Sequence, residues 1–283
     1  MSTPHEKGVA IRCESVVHIY PANGKDMDDV VALRGVDLEV DAGEFMALLG
    51  PSGSGKSTVL GLLAGVLRPS AGRVLIAEHD VGRMPPRALA KLRGSLVGTV
   101  LQNPGRNLLP YATVLQNVRF AASANPEPTA PDELLERLGL GHLEQRVAGR
   151  LSGGEQQRVA IAAAVCGGGR LLLADEPTSQ MDAAGREEVV ELLHRVNTEF
   201  GVTVVVVTHD PHIAQRLGRT VTIRDGRVGA EGRHGRDFAV VGRDGSLQLP
   251  PEVREHFPPG TMLEVTHDAD GIRLQRRAED GES

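Results

Sequence analysis

The sequence predicts an α/β fold with a parallel sheet covered on both faces, followed by a small β-rich module. Three observations predict it. Residues Gly50-Pro51-Ser52-Gly53-Ser54-Gly55-Lys56-Ser57-Thr58 satisfy the phosphate-loop pattern G-x-x-x-x-G-K-[ST]. Short aliphatic runs alternate with stretches of helical spacing up to Ala230, the pattern of a parallel sheet. Beyond it Glu231-Gly232-Arg233-His234-Gly235-Arg236 is rich in glycine and charge, and reads as a linker. It divides a domain over 1–232 from a module over 233–283.

Residues 9–20 open as a strand, with Val9, Ile11 and Cys13 alternating with polar residues before Val16-Val17-His18-Ile19. A polar loop containing Asn23-Gly24 follows. A second strand covers 31–40. Glu44-Phe45-Met46-Ala47-Leu48-Leu49 is a buried strand feeding the phosphate loop, and Leu60, Leu62, Leu63 and Val66 give a helix after it. Strands are predicted at 73–77 and 96–101, with a helix at 85–93 between them. From about 103 to 168 the texture is helical, over 113–122, 131–139 and 155–165. Then follow a buried strand at 170–174, a helix at 183–200, a strand at 202–207 and a helix at 211–217. Strands at 220–223 and 227–229 complete the sheet.

Composition narrows the function. The chain has 283 residues, 40% of them hydrophobic but only 2% aromatic, and no Trp. Its core is therefore aliphatic. A net charge of −6 speaks against a chain whose main partner is nucleic acid. Cys13 and Cys166 are the only cysteines; they make no zinc spacing and no disulfide framework, and are expected as reduced thiols of a cytosolic protein. Residues 1–8 carry no apolar signal region. The longest aliphatic run, 202–207, is far too short to span a bilayer. Any work at a membrane requires another chain to cross it.

Three segments carry chemistry. Glycines let backbone N–H groups turn toward phosphate oxygens, and the following helix aims its positive end at the same place. Lys56 is expected to reach the β- and γ-phosphates and Ser57 to hold Mg²⁺. Leu171-Leu172-Leu173-Ala174-Asp175-Glu176 is an apolar strand ending in two carboxylates. Asp175 is placed to hold Mg²⁺ and Glu176 to polarise an attacking water. Leu151-Ser152-Gly153-Gly154-Glu155-Gln156-Gln157 precedes a helix. Ser152 can cap it, and Gly153-Gly154 offers N–H groups to an anion; alone, the stretch is equally an ordinary helix cap.

In order and spacing, these three segments resemble the nucleotide-binding subunit of ATP-binding cassette (ABC) transporters, over about residues 9–230. The resemblance implies a P-loop NTPase of ABC type: a RecA-like parallel core, an antiparallel β subdomain and a helical signature subdomain. It implies ATP and Mg²⁺, and ATP hydrolysis. It assigns Tyr20 to stack on adenine through its π-face, a core-strand tyrosine being the other reading of the residue. Gln102 corresponds to the glutamine that touches Mg²⁺ and the lytic water, Asp182 to a loop crossing a dimer interface, and His209 to the switch histidine at the γ-phosphate. Gln180 and Met181 depart from the residues usual in that loop. Two chains, identical or paralogous, are expected to stack head to tail and clamp ATP between Lys56 of one and Ser152, Gly153 and Gly154 of the other. An integral membrane permease, in a separate chain, is the implied partner, with this chain peripheral on the cytoplasmic face of the cell membrane. Leu108-Leu109-Pro110, Thr113 and Asn117-Val118 resemble the branch of lipoprotein- and macrolide-exporter ATPases, although Asn103-Pro104-Gly105-Arg106 intervenes and Gln116 stands where a Glu is usual.

Beyond the linker, strand, short helix at 251–256, Pro259-Gly260 turn, strand, Asp270-Gly271 turn and strand resemble the AbrB-like swapped-hairpin domain. A β-extension of the large domain is the other reading. The reading is thus the ATPase subunit of an export-type transporter or a mechanotransducing membrane complex, and two other functions compete with it: a soluble ABC ATPase of repair or translation, and a nucleotide-sensing regulator with a DNA-binding C-terminal module. The mixed charge of the module speaks against DNA.

Overall fold

The computed structural model describes residues 8–22, 28–123, 125, 130–179, 181–233, 236–241, 247, 256–257, 261–268 and 271–276. Along the chain run β1 (Ile11–Tyr20), β2 (Val30–Val40), β3 (Phe45–Leu49), α1 (Lys56–Leu63), β4 (Ala71–Ile76), β5 (His79–Asp80), α2 (Pro86–Leu96) and β6 (Val97–Val100). Next come α3 (Val114–Ala122), α4 (Pro131–Arg137), α5 (Gly153–Cys166), β7 (Leu171–Asp175), α6 (Ala183–Phe200), β8 (Thr203–Thr208), α7 (Pro211–Arg216) and β9 (Arg219–Arg224). The chain closes with β10 (Arg227–Arg233), β11 (Arg236–Ala239), β12 (Leu263–Asp268) and β13 (Gly271–Arg276).

The main sheet has seven strands in the order β11-β10-β9-β3-β8-β7-β6. The strands from β9 to β6 are parallel, and β10 and β11 extend them antiparallel. Strand alternation splits the interior into two cores. Phe45, Ala47, Leu172, Ala174, Val204 and Val206 face the helices α3 to α7. Met46, Leu48, Leu171, Leu173, Val205 and Val207 face the other way. There the cover is a second, four-stranded antiparallel sheet, β2-β1-β4-β5, together with α1 and α2. Strand–helix alternation alone predicts helices over both faces; the antiparallel sheet takes much of that role, as the resemblance implies. Both cores are aliphatic, as composition requires. Each buried Leu or Val contributes roughly 1.5–3 kcal/mol.

Helix starts on the helical side are set by local chemistry. Thr113 and Gln116 form a reciprocal capping box at α3, and Ser152 and Glu155 form another at α5. Asp182 caps α6 by accepting from Gly185 N–H, and Asp210 caps α7. Pro85 and Pro86 start α2, which runs without a loop into β6.

The described residues of the stretch 231–236, expected as a linker, are strand instead. β10 continues to Arg233, and β11 pairs back on it from Arg236↔Arg233 to Ala239↔Ala230. The hairpin thus straddles position 232, where the domain boundary was expected. Its glycine and charge content misleads because the acidic residue of the described part, Glu231, is paired across strands. Glu231 accepts from Arg219 of β9, at 2.8 and 3.2 Å, and the same guanidinium reaches Glu44 at 3.1 Å. Near the C-terminus β12 and β13 pair as an antiparallel hairpin, where strands at 262–265 and 271–274 were expected. The predicted short helix before them lies outside the described residues except for His256, as do Pro259, Gly260 and Asp270 of the turns.

Candidate nucleotide site

The C-terminal edge of the parallel sheet brings the site together by register. Leu48 pairs with Val207, Val207 with Asp175, and Val100 with Ala174. One residue past Leu48, Val207 and Asp175, and two past Val100, the chain reaches Leu49, Thr208, Glu176 and Gln102 in a row, with Gly50 and His209 just beyond. The phosphate loop, the carboxylate pair, the glutamine and the histidine therefore emerge side by side from β3, β7, β6 and β8. Ligands of open α/β sheets bind at this edge.

The loop's backbone requires its glycines. Gly55, the N-cap of α1, has φ +106°. A Cβ there would lie 2.8 Å from Ala32 O and 2.7 Å from Leu33 Cδ2. At Gly50 a Cβ would lie 2.2 Å from Ile223 O. α1 begins immediately at Lys56, so its first N–H groups and the positive end of its dipole face the loop. Lys56 is buried, and its Nζ donates to Gly50 O at 2.6 Å and Pro51 O at 2.8 Å. Burial lowers its pKa, against the opposing pull of Glu176 and Asp175. Ser54 Oγ is buried without a partner in the same loop, while Ser57 is exposed.

Asp175 ends β7, and burial raises its pKa, with the charge of Glu176 adding to the rise and Lys56 opposing it. Glu176 follows with φ +46° and donates its N–H to Val207 O at 2.9 Å, which fixes it across β8. Its Oε1 accepts from His209 Nδ1 at 2.8 Å. His209 itself is two-thirds exposed and Glu176 mostly buried, so the imidazole is the solvent side of the pair. The two predicted residues from different strands are thus in direct contact.

Tyr20 lies at the end of β1, and its hydroxyl pairs with that of Thr58 at 3.2 Å. It stands beside α1 with 40% of its surface exposed, so a core-strand role does not describe it. Thr58, grouped with the loop by its motif, turns its hydroxyl to this tyrosine. Gln102 is exposed two residues past β6. Ser152, exposed, starts α5; its Oγ accepts from Glu155 N–H at 3.2 Å, while Glu155 Oε2 accepts from Ser152 N–H at 2.7 Å. That backbone bond leads the causes that hold the Glu155 carboxyl below its usual range, and Arg146 adds to it. Open space surrounds both Gly153 and Gly154 on the side a Cβ would occupy. The structure joins Lys56, Asp175, Glu176 and His209 by contact or by charge, and Tyr20 with Thr58. Asp182 makes its hydrogen bond within its own helix cap, and Gln180 lies outside the described residues.

Two contacts beside the site escape a sequence reading. Asn107 Oδ1 accepts from Leu101 N–H at 3.0 Å and its Nδ2 donates to Thr99 O at 2.8 Å. The amide thus acts as a strand partner for the open edge of β6, from which Gln102 emerges. His18 packs against Tyr20. Neither has a local signal, because in each case the meaning lies in the partner.

A phosphate loop on β3–α1 facing a carboxylate pair on a parallel sheet defines a P-loop nucleoside triphosphatase. The sequence matches the ABC transporter family over residues 33–179. It is 47% identical over 213 residues to the lipoprotein-releasing system ATP-binding protein LolD of Anaeromyxobacter dehalogenans, covering 73% of this chain and 88% of that protein. It is 40% identical over 230 residues to the macrolide export ATP-binding/permease protein MacB of Syntrophobacter fumaroxidans, covering 79% of this chain but 32% of that longer protein. Among solved structures it is similar to a dimeric ATP-binding cassette in a post-hydrolysis state with ADP and Pi. The TM-score is 0.69 at 33% identity, over 81% of this chain and all of that one. The chain belongs to the ABC transporter family and is an ATPase of it.

Proposed function

We propose that this chain powers an export-type membrane complex by ATP-driven head-to-tail dimerisation. The observation that carries the reading is the row of Gly50, His209, Glu176 and Gln102 at one sheet edge, with Ser152-Gly153-Gly154 capping a separate helix. One chain therefore supplies a phosphate cradle and a free anion-binding helix start, which a second copy or a paralogue can complete. The resemblance to proteins named for lipoprotein release and macrolide export supports the export direction. Among the described residues no helix is long and apolar enough to cross a membrane. We accordingly place the permease in a partner chain and this chain at its cytoplasmic face.

The residues present fit a nucleoside triphosphate with a divalent cation. The loop cradle is too tight for side chains at Gly50 and Gly55, Ser54 Oγ is an orphaned donor, and a buried ammonium faces two carboxylates. Ser57, Asp175 and Gln102 would hold Mg²⁺, which supplies neutralisation of phosphate charge. Lys56 exchanges the loop carbonyls for phosphate oxygens. Glu176 accepts the proton of the attacking water, held in orientation by His209 Nδ1. Tyr20 carries the base, and Ser152, Gly153 and Gly154 of the second chain close the site, with Asp182 at the seam. ATP thus joins the two chains and its hydrolysis releases them.

We further read β12–β13 as part of a small AbrB-like module that pairs with its copy. Cross-strand register places Leu263, Val265, Ile272 and Leu274 on one face, and Val265 and Ile272 are exposed. A lone hairpin with such a face needs cover. Co-purification of the full chain with an integral membrane chain, followed by ATPase measurement of the pair in vesicles, tests the main proposal. Stimulation by that chain is expected; ATPase indifferent to it would overturn the reading.

A further inference from the structure

Buried His18 makes contacts that the site as described does not use. It lies in β1, two residues before Tyr20 and 7% exposed. Its Nδ1 lies 3.0 Å from Arg68 O. A carbonyl only accepts, so the ring proton sits on Nδ1, and this bond sets both tautomer and ring plane. Its Nε2 is buried without a partner, which leaves the rest of the ring free to serve as packing surface. That surface meets Tyr20: the two ring centroids are 4.7 Å apart at an interplanar angle of 82°, the edge-to-face arrangement aromatic pairs prefer.

The tyrosine is held from two further sides. Its hydroxyl pairs with Thr58 on α1, one residue after Ser57. The backbone N–H of Ile19 donates to Ser70 Oγ at 3.0 Å, and Ser70 N–H donates to Val17 O at 2.8 Å. Arg68 and Ser70 belong to the segment that leaves α1 for β4. The holds on the Tyr20 side chain thus trace to α1 directly, through Thr58, or through His18 to the segment after α1, while its backbone also pairs with Val30 of β2; α1 begins at the phosphate loop.

We propose that His18 is a positioning residue for the nucleotide base. It fixes the Tyr20 ring at a set orientation relative to the phosphate loop, so that base and phosphates are read as one rigid unit. This rests on the reading of Tyr20 as the base platform. An unclamped tyrosine at a strand end would have to be ordered by each incoming nucleotide, at an entropic cost that the clamp removes in advance.

The sequence provides a probe. It has no Trp and only two Tyr, Tyr20 and Tyr111, so in the full chain carrying Tyr111→Phe the tyrosine emission reports Tyr20 alone. Titrations with Mg·ATP and with Mg·tripolyphosphate, which lacks the base, separate the platform from the loop. ATP is expected to quench Tyr20 and tripolyphosphate to leave it unchanged. His18→Asn keeps a donor for Arg68 O but removes the ring. It is expected to weaken ATP by about three- to tenfold, the range set by one aromatic pair, and to leave tripolyphosphate affinity unchanged. His18→Phe keeps the ring and is expected to hold ATP affinity within about twofold of the parent. Equal loss of ATP and tripolyphosphate affinity in His18→Asn, or no loss of either while ATP still quenches Tyr20, would overturn the proposal and leave the platform reading standing. Absence of quenching together with unchanged ATP affinity in Tyr20→Ala would overturn the platform reading itself, and this inference with it.

Discussion

Replacing Glu176 by glutamine exchanges one carboxylate oxygen for an amide nitrogen and leaves the shape of the site intact. The backbone should not move: the left-handed φ of +46° is the same burden for either side chain, and the N–H bond to Val207 O is a backbone bond. The amide oxygen can still accept from His209 Nδ1, which now lies 2.8 Å from Glu176 Oε1. What disappears is the base. General-base catalysis supplies about 10²- to 10⁴-fold in rate, or about 2.7–5.4 kcal/mol of barrier. Lys56 loses one of the two negative charges that face it, which favours its binding of phosphate. The variant is therefore expected to bind ATP at least as well as the parent, to hydrolyse it at least about 100-fold more slowly, and to accumulate as an ATP-held dimer. Single-turnover hydrolysis and sedimentation with Mg·ATP measure both effects. Turnover within about threefold of the parent would refute the assignment of Glu176 as base. Slow turnover without a dimer would refute the clamp.

Ser152→Arg places a long cation on the exposed start of α5 and removes its cap, at about 0.5–2 kcal/mol; ATP binding by the single chain should persist while the ATP-dependent dimer is lost in sedimentation. Asp175→Asn should stabilise the nucleotide-free protein at neutral pH. The folded-state pKa is raised above 3.8, so the stability due to the bound proton is present at low pH and lost as pH rises through the folded value. Calorimetry should show the variant melting higher near neutral pH, by about 2–4 °C for each kcal/mol relieved, with the gap closing toward acid pH. Gly55→Ala forces φ +106° and a 2.8 Å contact with Ala32 O; a loss of about 1–3 kcal/mol or more in denaturant unfolding is expected, with ATP binding impaired. Removal of 242–283, which spares β11, should lower nucleotide-free self-association and make ATPase depend more steeply on protein concentration; identical sedimentation of the two forms would count against pairing through the C-terminal segment.

Much of the site was legible in the sequence because its signals are local. The phosphate loop is an eight-residue pattern between a buried run and a helix. Ser152 and Glu155 announce α5 because the capping box is an i, i+3 relation along one chain. Asp175-Glu176 and His209 stand where aliphatic runs stop, and a parallel strand's end is the place where side chains meet solvent and ligand.

Tertiary structure alone decided the rest. Alternation of strands and helices does not say what covers each face, so the antiparallel sheet over one core came from the resemblance and not from the pattern. The charges and glycines of 231–236 predict a linker when counted locally, whereas Arg219 neutralises Glu231 from the neighbouring strand and binds Glu44 as well. The contact of Glu176 with His209, the clamp of His18 and Thr58 on Tyr20, and the Asn107 amide on the edge of β6 are of the same kind. Their residue types are ordinary. Each acquires a role only when strand register and packing bring it within about 3–5 Å of a partner from another element, and no hydrogen-bond period along the chain encodes that distance.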